Sequence, residues 1–144
     1  KFNLKIVLKK ILFLFSIVLL VGCTNKIPNH PKAENEIAPQ KNEDGEWDLT
    51  VIDTQYDYFL NAVAKPISMY SEATLKNRNT FLVNEWNSYF YSGRYRNVIE
   101  SSIDYDPKEN YGIKFEYKLY QVFAYVQWKY GLKMNGLSQA DIAR

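Results

Sequence analysis

Apolar and polar residues alternate from Trp47 to Val51, with Trp47, Leu49 and Val51 separated by Asp48 and Thr50. That period of two predicts a half-buried strand, closed by Asp53. Beyond it the period changes to that of a helix. Tyr56, Phe59, Leu60 and Val63 fall at i, i+3, i+4 and i+7 behind a cap at Asp53 or Thr54, and Lys65-Pro66 ends the run because a residue before proline avoids helical torsions. Ser71 with Glu72 begins a second helix whose inner face is Leu75, Leu82, Trp86, Tyr89 and Phe90 and whose stop is Gly93. Asn79 interrupts that face, either reading a ligand or, as buried amides ordinarily are, hydrogen-bonded to nearby backbone. Ile99, Ser101, Ile103 and Tyr105 alternate again and predict a second strand. The last helix spans Ile113 to Tyr130, with Gly131 as its stop. Phe115, Leu119, Val122, Phe123 and Val126 lie on one side of it, and Tyr117, Tyr120 and Trp128 on the other. Lys114, Lys118, Gln121, Tyr125 and Lys129 form a narrow stripe expected to face solvent. A helix apolar around so much of its girth is central.

These elements predict a small single α+β domain with about three helices, a short two-stranded sheet and the last helix in the middle. Its expected bounds are 47–131, followed by a polar C-terminal tail at 132–144.

The chain before Trp47 has a different character. Lys1, Lys5, Lys9 and Lys10 are unaccompanied by acid, and Ile11–Val21 is an apolar run of 11 residues. Such a run fits the core of an export signal and falls well short of the roughly 20 residues of a membrane span. It ends in Leu20-Val21-Gly22-Cys23, which resembles the lipobox of bacterial lipoproteins. The resemblance implies that residues 1–22 are a signal peptide recognised through Leu20, Val21 and Gly22, and that Cys23 carries acyl chains such as palmitate. Each buried methylene contributes about 0.8 kcal/mol, so two or three chains hold a protein at a bilayer where one does not. Residues 24–46 contain Pro28, Pro31 and Pro39 among Asn, Lys, Glu and Gln. With the lipidated cysteine they are expected to form a flexible tether, 23–46, with a span on the order of 25 to 30 Å.

Charge and composition narrow the function classes. Four of the 18 basic residues precede Cys23, and the remaining 14 face 16 acidic ones, so the chain beyond the signal is near −2. A basic footprint for nucleic acid is missing. Cys23 is the only cysteine, so no internal disulfide is available. His30, the only histidine, falls in the tether without partners that would make it a ligand or base. Nucleophile-base triads and glycine-rich phosphate loops have no residues to build them. No catalytic residue, metal site or cofactor is therefore assigned.

Three features remain. Asp104-Tyr105-Asp106-Pro107 with Glu109 and Asn110 offers oxygens to a hard cation, but Lys108 and Phe115 occupy positions where a calcium loop needs ligands, so a solvated turn is expected. Asp104, Asp106, Glu85 and Glu116 are the carboxylates from which a hydrolytic pair would have to come. All 12 Tyr and 3 Trp lie between Trp47 and Tyr130. They either supply burial to a domain without disulfides or line a surface for sugars or proteins. Trp47, Tyr58, Tyr91, Tyr95 and Tyr111, off the helix faces, are the rings expected to be exposed. Trp47, Tyr111, Asp104 and Asp106 are the candidate ligand-binding residues.

Trp47-Asp-Leu-Thr-Val-Ile-Asp53, Ala64-Lys-Pro66, Tyr70-Ser71, Asn84-Glu-Trp-Asn87, Ile103-Asp-Tyr-Asp-Pro107 and Tyr111-Gly112, continuing into the tyrosine-rich last helix, resemble a family of small Bacteroidetes lipoproteins of unknown function. The resemblance implies a diderm envelope and brings no activity. Thr24-Asn25-Lys26-Ile27-Pro28 lacks the acidic residues found after the cysteine in surface-exported lipoproteins, so the expected location is the outer membrane, facing the periplasm. The expectation is a non-enzymatic binding or assembly module, held to the membrane through Cys23 and contacting an envelope protein. A peptidoglycan-binding module using exposed Tyr and Trp is the alternative, and a carboxylate-dependent hydrolase comes third.

Overall fold

The structure, a computed structural model, describes residues 37–51 and 53–142. Leu20-Val21-Gly22-Cys23, expected to be a lipobox, and His30 lie outside them.

The N-terminal limb forms a hairpin, with β1 (Gln40–Lys41) antiparallel to β2 (Trp47–Asp48) and Gln40 opposite Asp48. Asn42 sets the turn, its Oδ1 accepting from the amides of Asp44 and Glu46 while Gly45 adopts a left-handed φ of 76°. Helix α1 (Thr54–Ala62) starts at Asp53, whose carboxylate accepts from the Gln55 amide, and it ends before Lys65-Pro66 as the sequence predicts. A short 3₁₀ turn at Ile67–Met69 leads to α2 (Glu72–Ser92), capped by Ser71 through the Thr74 amide and closed by left-handed Gly93. Helix α3 (Ile113–Tyr130) runs from Gly112 to Gly131, and α4 (Gln139–Ile142) follows.

The helices are where their periodicity puts them, and the architecture is a small α+β domain with a two-stranded antiparallel sheet. Helix α3 is central. It packs against α1, α2, α4 and β2, and every residue from Leu119 to Val126 is buried. Phe115, Leu119, Tyr120 and Phe123 are at most 1% exposed, each contributing roughly 1.5 to 3 kcal/mol of apolar burial.

Three expectations need correction. The strand partner of Trp47–Asp48 is Gln40–Lys41, not the Ile99–Tyr105 segment. The latter contributes only an isolated parallel bridge, Ile103 to Ile37. Its backbone is occupied by side chains of α2: Trp86 Nε1 donates to the Ser101 carbonyl, and the Asn87 amide both donates to the Ile103 carbonyl and accepts from its N–H. With those groups taken, no ladder forms along the segment.

The domain also reaches beyond 47–131 at both ends. Ile37 packs against the core and its backbone pairs with Ser102 and Asp104. The tail expected to be polar buries Leu132, Met134 and Leu137. Glu85 holds it by accepting from the Asn135 amide and side chain. Gly136 lies so close to Leu82 that a Cβ there would meet Leu82 Cγ at 2.7 Å.

Finally, the stripe on α3 expected to face solvent is covered in part by the N-terminal limb. Elsewhere on it Gln121, 1% exposed, lies against Tyr70, and Tyr125, 3% exposed, packs on Tyr56 and Phe59 of α1. The three lysines bind acidic residues of that limb in order: Lys114 to Glu46 at 2.9 Å, Lys118 to Asp48 at 2.7 Å and Lys129 to Asp53 at 2.6 Å. The stripe is polar because it meets a polar partner.

Candidate functional site

The four candidate ligand residues are partly brought together, but as packing. Trp47 sets its edge on Tyr111 at 5.2 Å, and Tyr111 stacks between Tyr105 at 5.2 Å and Phe115 at 4.5 Å. The Tyr111 hydroxyl accepts from the Asp106 amide, and Asp106 Oδ1 accepts from the Lys108 amide. Tyr111 is 9% exposed and Trp47 half-buried, so neither is the open ring expected. Gly112, with a φ of 80°, turns the chain into α3 between Tyr111 and the rings it covers. Asp104 remains exposed, its amide bound to the Ile37 carbonyl. Tyr58, Tyr91 and Tyr95 are exposed as expected, at 60%, 69% and 45%.

The carboxylates of the hydrolytic reading have separate places. Glu85 accepts from the Tyr89 hydroxyl and from Asn135. Glu116 is 1% exposed, and burial pushes its carboxyl above the usual range. It accepts from Asn79 Nδ2 at 2.7 Å and from the Tyr105 hydroxyl, while the same Asn79 amide donates to the Glu116 carbonyl. Asn79 thus satisfies buried backbone, as expected, and also holds Glu116, one of the carboxylates of the hydrolytic reading, as a buried packing group. Among the described residues, no three or more acidic, Cys or His side chains form a group that could hold a metal ion.

A second polar network closes the far end of the domain. Tyr120 donates to Asp141 at 2.6 Å and accepts from Arg78 and the Ser138 amide, while Arg78 and Lys65 pair with Asp141. Burial pushes the Tyr120 hydroxyl up to about 12. The network joins α4 to α2 and α3, and it is structural.

Among the described residues a cleft of about 780 Å³ could receive a ligand, and none of the sequence candidates enters it. Its floor is the face of α3 carrying Val122, Tyr125 and Val126, with Trp86 of α2 beside it. One side is the N-terminal limb, through Ile37, Gln40, Thr50, Val51 and Asp53. The other is the loop after α2, through Asn97, Val98, Glu100 and Ser101. The volume falls within the roughly 300 to 1,000 Å³ of ordinary ligand clefts.

Two charged groups shape its electrostatics. Lys129 bonds Asp53 and holds its carboxyl down to about 2, a shift to which the neighbouring Tyr125 hydroxyl adds. No hydrogen bond of regular geometry joins that hydroxyl to the pair, and it has no other partner. Glu100 is exposed at the rim and forms no ion pair among the described residues. The cleft therefore offers half-buried aliphatic surface from Ile37, Val51 and Val98 and one uncompensated negative charge. Asp53, N-cap of α1 and partner of Lys129, is already engaged and is a poor proton acceptor at neutral pH. The missed signal was the pairing of the limb with α3, which no local spacing encodes.

Among the described residues, no helix is long and apolar enough to cross a membrane. No curated protein and no solved structure matches the chain. A family model does match, over residues 11–142, and its description is a family of unknown function (DUF6146). Since that match takes in the central helix, both walls of the cleft and nearly all of the chain, the protein belongs to this family of unknown function.

Proposed function

We propose that the chain is an envelope lipoprotein of a diderm bacterium, anchored by acyl chains on Cys23, whose folded domain binds a partner instead of transforming a substrate. The observation that carries the reading is the succession of a basic flank, a short apolar run and Leu20-Val21-Gly22-Cys23. The acyl chains hold the domain at the outer membrane, and the absence of acidic residues just after Cys23 favours its periplasmic face. The cleft supports a binding role, because its lining combines aliphatic surface with a few polar groups and Asp53 is committed to Lys129.

Mass spectrometry of the native protein tests the anchor. An amino terminus at Cys23 carrying diacylglycerol is expected, whereas an unmodified segment continuing through residues 1–22 would overturn it. Pull-down of the acylated protein from membranes tests the binding role. A stoichiometric envelope protein is expected, and repeated recovery of the chain alone would count against it.

A second reading, binding of peptidoglycan, draws on the open rings. Tyr58 and Trp128 lie 6.4 Å apart at the surface and are 60% and 40% exposed, a pairing suited to a sugar face. Sedimentation with purified sacculi decides it: failure to co-sediment at low and moderate salt removes this reading.

A further inference from the structure

We propose that the cleft takes a short extended peptide of a partner protein that presents a basic side chain next to an apolar one; this rests on the binding-module reading above and names its ligand class. Charge is the first argument. Of the two carboxylates in the lining, Asp53 is neutralised by Lys129 at 2.6 Å, while Glu100 is exposed and has no cation bound to it among the described residues. The residual field at the rim is negative and selects a cationic group.

The second argument comes from the backbone. Thr50 and Val51 on one side and Glu100 on the other form no backbone–backbone hydrogen bond among the described residues. Beside them short pairings begin, Ile37 with Ser102 and Asp104, and Gln40 opposite Asp48. An incoming extended chain would continue that pattern by strand addition, in which main-chain hydrogen bonds supply affinity and alternate side chains supply specificity.

The third is the lining of the cleft. Its aliphatic side walls, half-buried Ile37, Val51 and Val98, present surface for one side chain. Sugar rings stack on open aromatic faces, and here Trp86 and Tyr125 are both 3% exposed, leaving Tyr130 as the one open ring of the lining. The composition favours a peptide over a glycan.

The test uses the full chain in nonionic detergent and fluorescence anisotropy of a labelled pentapeptide of alternating Lys and Val. Binding is expected, about tenfold or more tighter than for the same peptide with Glu in place of Lys or with alternate amides N-methylated. Glu100→Lys, at an exposed position that leaves the fold intact, should weaken it about tenfold. Equal binding of the Lys and Glu peptides, or indifference to Glu100→Lys, would overturn the proposal. So would tighter binding of a peptide covering residues 24–36, which would make this chain the occupant, or a dimer abolished by Glu100→Lys, which would make it a second copy. Binding of a soluble muramyl glycan without the Lys-Val peptide overturns the ligand class and leaves the binding-module reading standing. If neither binds, the ligand class fails and the membrane pull-down alone decides that reading.

Discussion

Replacing Glu116 by Gln separates the charge of a buried carboxylate from its hydrogen bonds. Glu116 is 1% exposed and accepts from Asn79 Nδ2 and the Tyr105 hydroxyl, with no salt bridge among the described residues. Gln keeps an acceptor for Asn79. Its new N–H group can donate to the Tyr105 oxygen once that hydroxyl turns its proton toward Thr80, a neighbour within its reach. Loss of the ionised form then removes a desolvation penalty at little cost in hydrogen bonds. Glu116→Gln should lie within about 1 kcal/mol of the parent at pH 7, or be more stable. Glu116→Leu leaves an Asn79 N–H unpaired, while the Tyr105 hydroxyl can still turn to Thr80, so it should cost on the order of 1 to 3 kcal/mol.

The pH dependence has a definite sign. Because burial raises the folded-state value, the native protein holds its proton where the unfolded chain has lost it. Stability of the parent should therefore fall as pH rises from the ordinary carboxylate range to the raised folded value, and stay level above it. The Gln variant lacks this fall. Urea unfolding followed by circular dichroism from pH 3 to pH 8 reads the difference. A Gln variant more than about 1 kcal/mol less stable than the parent at pH 7 would refute the reasoning, since the charge would then be favourable where it lies.

Asp53 should behave in the opposite sense. Its carboxyl is held to about 2 by Lys129, so the stabilisation is complete above about pH 4 and disappears as pH falls through 2. Asp53→Asn, which retains the cap, should show a lower urea midpoint at pH 7 and match the parent near pH 2; Asp53→Ala should cost about 1 kcal/mol more through loss of the cap. Tyr120→Phe removes the hydroxyl shared by Asp141, Arg78 and Ser138. It should cost about 1.5 to 3 kcal/mol in urea unfolding and speed hydrogen exchange at residues 138–141. Gly136→Ala places a methyl against Leu82 Cγ and should cost about 1 to 3 kcal/mol, visible as a lower thermal midpoint.

The helices were legible because their signals are local. Asp53 and Ser71 cap as their sequence context predicts, and Gly93 and Gly131 stop their helices in left-handed conformations. The inner faces of α1 and α2 follow from spacing, down to the buried amide of Asn79. What the sequence did not reveal depends on partners distant along the chain. Gln40 and Lys41 are two exposed polar residues with no alternation, and their pairing with Trp47–Asp48 follows from the Asn42–Gly45 turn and from the docking of the limb on α3. Gln121 and Tyr125 read as solvent-facing because they share a stripe with three lysines, whose acidic partners lie 68 to 76 residues earlier. The cleft was invisible for the same reason, since its walls come from three separate stretches. Tyr111 was misread because its cover, Trp47 and Tyr105, comes from two other segments.

The ordered lysine pairs have a metric consequence. From Lys114 to Lys129 the helix advances about 22 Å at 1.5 Å per residue, and from Glu46 to Asp53 an extended chain advances about 23 Å at 3.3 Å per residue. The two lengths agree, so the limb acts as a vernier scale laid along the central rod. One residue inserted between Asp48 and Asp53 would lengthen that span by about 3.3 Å, and an extended limb could then keep the Asp48–Lys118 pair or the Asp53–Lys129 pair, but not both. The phase of the first helix is thus gauged by the pitch of the last.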